Sequence, residues 1–200
     1  MKMIPLLTAL ALLAPALVAQ EELPRLDAVK FAALLNFDLE KLADTPIPTD
    51  ADVKRPFGVK ADKRGGLVVP EAKLSPATIS GAGKEVVPVG QLWLVGVVPA
   101  KDGQPVSGEQ LKLVTIQYEG RDVTLALCVL GVRKGAGDKP ELLVFGKGKE
   151  PLLVLPLNKA NREQKWPLEF TVEREGEAAG RVALTLVGKY ETSFLVKAEQ

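Results

Sequence analysis

Two hundred residues, 46% hydrophobic and 26% charged, suffice for one domain with a core of its own. The 26 basic and 25 acidic side chains nearly cancel, which argues against nucleic acid or another polyanion as partner, because such binding rests on clustered Lys and Arg. The chain has no histidine and a single cysteine, Cys128, which removes Ser-His-Asp and Cys-His catalysis, an internal disulfide and the commonest ligand for zinc, copper and non-haem iron; no metal or cofactor is expected.

The chain opens with MKMIPLLTALALLAPALVA, in which Lys2 precedes an apolar stretch from Ile4 to Val18 broken by Pro5 and Pro15 and ending at the small residue Ala19. This has the form of a secretory signal peptide over residues 1–19. It is too short to span a bilayer core of about 30 Å, and no cysteine follows it to carry a lipid. The expected mature chain starts at Gln20, is secreted or periplasmic, and has no membrane span.

Residues 20–45 carry a helical pattern. Leu26, Val29, Ala33 and Phe37 recur at helical spacing with Ala28, Phe31 and Leu35 beside them, Pro24 suits a first turn, and Asn36 and Asp38 mark a point of interruption and restart. A helical face of Leu26, Val29, Ala33 and Phe37 needs cover, either by capping a sheet or by docking on a partner. Residues 46–58 hold Pro46, Pro48 and Pro56, which force extended backbone, and read as a linker or edge segment. Its TDADVK offers Asp50 and Asp52 but lacks the glycine and terminal glutamate of a calcium loop, so a solvated linker is expected.

From residue 59 to 200 the period becomes two, which predicts a mainly β fold: an antiparallel sandwich, or partly open barrel, of eight or nine strands. LEFTVER sets Leu168, Phe170 and Val172 against Glu169, Thr171 and Glu173, and RVALTLVGKY repeats the alternation across EGEAAG, as a hairpin with one wet face would. LKLVTIQY pairs with VTLALCVLGV across EGRD, where Gly120 supplies a positive φ. Cys128, on the face with Thr124 and Ala126, reads as a packing residue, and Trp93 inside QLWLVGVV reads as core. The run Lys60, Lys63, Arg64 reads as a solvated turn.

Two glycine-lysine stretches resemble phosphate loops. SGAGKEVV has Thr78 where the first glycine belongs and Glu85 where the metal-binding hydroxyl belongs, and both it and FGKGKEP lead into strands; both read as turns, with Lys84, Lys147 and Lys149 in solvent. The ten-residue echo of ELLVFGKGKE in PLLVLPLNKA reads as two adjacent strands. None of the four serines begins an S-x-x-K motif. What remains points to a non-catalytic sandwich that binds a protein, a peptide or a cell-envelope component through loops or an open edge. A hydrolase using two carboxylates about 5 to 9.5 Å apart is the alternative. A carbohydrate-binding module is a third reading, with Trp166 before Pro167 as the exposed ring for ligand contact.

Overall fold

The period-two segments become strands, and they pair where turn residues let the chain reverse. The computed structural model describes residues 20–41, 45–61, 63–118, 120–176 and 178–199, with side chains of 38–41 excepted. The proposed signal segment 1–19 and residues 42–44 of the predicted helical region lie outside the described residues. The N-terminal part comprises β1 (Glu21–Glu22), α1 (Arg25–Lys41), β2 (Phe57–Ala61), β3 (Arg64–Pro70) and α2 (Pro76–Ser80). Then come β4 (Val87–Val95), β5 (Val97–Lys101), β6 (Gln104–Pro105), β7 (Lys112–Tyr118) and β8 (Arg121–Lys134). The chain continues through β9 (Pro140–Phe145), β10 (Pro151–Pro156), β11 (Asn158–Lys159), β12 (Leu168–Arg174), β13 (Ala179–Leu186) and β14 (Tyr190–Ala198).

These strands form two antiparallel sheets that pack as a sandwich, not a closed barrel. The first runs β1-β2-β3-β4-β8-β9-β10, with β7 beside the N-terminal half of β8; the second runs β12-β13-β14-β5-β6, with β11 beside β14. The strands outnumber the expected eight or nine. QLWLVGVV spans two of them: the chain breaks at Gly96, whose φ of 69° turns it from β4 in the first sheet to β5 in the second. The expected linker also ends early, because β2 begins at Phe57.

The predicted hairpins form in register. Leu168 lies opposite Leu186 and Phe170 opposite Leu184, and Thr115 lies opposite Thr124. The two halves of the ten-residue echo are β9 and β10, adjacent and antiparallel. FGKGKEP is their turn, with Lys147 and Lys149 exposed. Neither Gly146 nor Gly148 has positive φ; Gly146 is required instead because a Cβ there would sit 2.2 Å from the Gln110 carbonyl oxygen. SGAGKEVV also carries no phosphate cradle. Its serine ends α2, a single turn absent from the sequence reading, which starts with Pro76 and a reciprocal Ser75–Thr78 capping box.

Two cores result. Between the sheets, Val68, Leu92, Leu94, Cys128, Leu130 and Val144 meet Leu168, Phe170, Val182, Leu184, Phe194 and Val196. On the outer face of the first sheet, Leu67, Val69, Trp93, Val114, Leu125, Leu127 and Val129 pack under α1. The middle of the first sheet is thus buried on both faces, and the second keeps its outer face, with Thr171 and Ser193, open to water. Cys128 lies fully inside the sandwich, and burial pushes its thiol pKa up to about 12, which makes it inert at neutral pH.

Candidate functional site

Helix α1 carries apolar residues on both sides. The side that caps the sheet is Ala28, Ala32 and Leu35, with Phe31 at its margin, and not the predicted Leu26, Val29, Ala33 and Phe37. Leu26 is 65% exposed and Phe37 57% exposed, Ala33 is exposed and Val29 half-buried. Both stripes have helical spacing, so periodicity alone could not choose between them. Close approach decided it: two alanines let the helix axis settle onto the β-branched and aromatic side chains of the sheet, which a Leu26–Phe37 stripe would hold off.

The proline-containing stretch after the helix does not act as a spacer. Ile47, Ala51 and Val53 pack against the outer core, and Ala51 forms an isolated antiparallel bridge with Glu71. Gln91, fully buried, accepts from Trp93 Nε1 at 3.1 Å and donates to Thr49 Oγ1 at 2.9 Å, tying this stretch to the middle of the sheet. Glu71, also buried, accepts the Asp50 amide on both carboxylate oxygens, at 3.0 and 2.9 Å.

Glu71 and Asp52 titrate in opposite directions, as an acid and a base in one site would. Burial is the main influence that pushes Glu71 up; the charge of Asp50 adds to it and the Asp50 amide opposes it. Burial also works against the Asp52 charge, but hydrogen bonds from Arg55 and the Lys54 amide, with the charges of both residues, outweigh it and lower the pKa. The oxygens are nonetheless committed. Glu71 holds backbone, and Asp52 Oδ2 lies 2.5 Å from Arg55 Nε, whose guanidinium also donates to the Ala72 carbonyl. The pair works as a latch on the segment 50–55.

Glu71 gives a pH prediction. Its folded pKa lies above the ordinary 4.5, so the native state takes up a proton more readily than the unfolded chain. Its charge therefore costs stability at neutral pH, and that cost is relieved as pH falls through the raised value toward 4.5. Glu71→Gln keeps an oxygen for the Asp50 amide and should melt at or slightly above the wild-type temperature at neutral pH, with the advantage gone in acid. A variant that melts well below wild type at neutral pH would contradict this assignment.

Trp166 is half-buried at the entry to β12. Its amide and that of Lys165 donate to Glu169 Oε1, at 2.6 and 2.8 Å. The Arg25 guanidinium, from the first turn of α1, lies 4.1 Å from the centre of the Trp166 ring and donates to the Pro56 carbonyl, while Lys165 Nζ lies 5.1 Å from the same centre. The ring thus joins the helix to the second sheet through a cation–π contact. An open depression beside β6, β13 and β14 is lined by Gln104, Glu175, Ala179 and Lys197; Glu175 there is ion-paired with Arg181 at 2.5 Å.

Among the described residues no group of three or more Cys, Asp or Glu is placed to hold a metal, and no helix is long and apolar enough to cross a membrane. Among the described residues the most exposed large apolar side chains are Leu26 and Phe37, on the outward side of α1. No protein-family model, curated protein or solved structure matches this chain, so its function is read from its own surfaces.

Proposed function

We propose that this chain is a secreted or periplasmic, non-catalytic binding protein that holds a protein or cell-envelope component against the outward side of α1, through Leu26, Val29, Ala33 and Phe37. The observation that carries this reading is Leu26, 65% exposed on a helix whose other side is already buried. A helix needing only to cap the sheet gains nothing from a large apolar side chain in water, whereas a docking helix presents such anchors at helical spacing.

Site-specific photocrosslinking in the producing cell tests it. A crosslinker at Leu26 or Phe37 should give one discrete adduct with a different protein, and a crosslinker at Thr171 on the polar sheet face should give none. Leu26→Glu with Phe37→Glu should abolish a partner captured at Ala33 while stability changes by no more than about 1 kcal/mol, as is usual for exposed positions. No adduct, an adduct only with a second copy of this chain, or equal capture at Thr171 would overturn the reading.

A further inference from the structure

The sheet edges are protected unevenly. At the ends of the two sheets β1, β6 and β11 are two residues long, and β10 has proline at both ends. Strand β12 carries Glu169, Glu173 and Arg174, and its Val172 amide donates to Gln20 Oε1 at 2.9 Å. Short strands, prolines, charges and side-chain caps are the usual means of preventing edge-to-edge pairing. Strand β7 has its one charge, Lys112, buried at its start, and is less guarded beyond it. Among the described residues it pairs only with β8, and from Leu113 to Tyr118 it contains no charge and no proline. Its side chains alternate, with Val114 and Ile116 buried under α1 and Leu113, Thr115 and Gln117 exposed, Leu113 by 43%.

We infer that β7 is a dimerisation edge, on which a second copy of this chain adds its own β7 antiparallel about a two-fold axis at Thr115. A two-fold contact requires a strand that is complementary to itself. Centred on Thr115, the pairing matches Leu113 with Gln117, Val114 with Ile116 and Thr115 with Thr115 of the second copy, leaving no like charges opposed and no residue of Leu113–Gln117 unmatched. Val with Ile and Thr with Thr are favourable cross-strand neighbours. Within one copy Thr115 already bonds Thr124 through their hydroxyls at 3.0 Å, so the dimer would continue that threonine row across the axis. Helix α1 supplies an apolar margin along the edge. Phe31 packs against Tyr118, with ring centroids 4.8 Å apart and planes tilted by 56°, and Leu34, three residues on and on the same flank, is 40% exposed.

This surface differs from the outward stripe proposed for the partner, and sedimentation of the purified chain tests it without that partner. Wild type should sediment as a dimer that dissociates on dilution. Thr115→Lys sets like charges directly across the axis and should weaken the dimer at least about tenfold in Kd, as should Thr115→Glu. Mixing the two variants in equal amounts should restore a dimer, because the opposed charges are then opposite. The substituted side chain is exposed, and an unchanged circular dichroism spectrum would establish that each variant is folded. A monomeric wild type, a dimer indifferent to both substitutions, or folded monomeric variants whose mixture stays monomeric would overturn the inference.

Discussion

Deleting residues 20–41 should leave a chain that aggregates, or that melts far below the intact protein. The helix contributes Ala28, Ala32 and Leu35 to the outer core and shields Leu67, Val69, Trp93, Leu127 and Val129 from water. Losing one buried leucine costs about 2 to 5 kcal/mol, and total stabilities are about 5 to 15 kcal/mol, so removing the whole cover takes away much of what holds the fold. The deletion also removes β1 from the edge of β2 and the Gln20 cap on Val172. What remains would expose an apolar sheet face, the usual starting point for aggregation. Size-exclusion chromatography and a thermal melt check this. A truncated chain that stays monodisperse and melts at the wild-type temperature would mean that the outer core is not needed for stability.

Replacing Trp93 with Ala should cost about 3 to 5 kcal/mol, the range for emptying an aromatic site in a core. Trp93 is fully buried under the helix, and its indole N–H donates to Gln91, which in turn holds Thr49. The substitution opens a cavity and leaves the Gln91 carbonyl without its donor. Trp93→Phe separates the two effects: it keeps most of the volume and loses the donor, and should cost about 1 to 3 kcal/mol. Urea denaturation with an unchanged m-value measures both. A loss below about 1 kcal/mol for Trp93→Ala would show that this residue does not anchor the outer core.

The sequence by itself determined the parts of the molecule that local physics controls. Alternation in LEFTVER and RVALTLVGKY sets which side chains face inward, and a short turn leaves one register that buries Leu168, Phe170, Leu184 and Leu186 together. The same logic assigned the pairing of β7 with β8, the glycine-lysine turns, and the burial of Cys128 and Trp93. Nonlocal packing decided the rest. In β8 the run LALCVLGV has no polar alternation, and that continuity is the signature of a strand covered on both faces; read as one-sided, it conceals the outer core. Which stripe of α1 is buried depends on what lies beneath it. There Ala28 and Ala32 let the helix approach the Trp93 side of the sheet closely and Leu35 fills the space beside them, although Leu26 and Phe37 keep the same period. The Arg25–Trp166 contact and the Glu71–Asp50 latch join residues far apart in the chain, and no spacing rule links them. Only the tertiary structure could show that Trp166 carries an arginine on its ring, that the proline stretch lies on the sheet, and that, among the described residues, the uncharged stretch 113–117 of β7 pairs on one side only, because each depends on which distant segment arrives beside it.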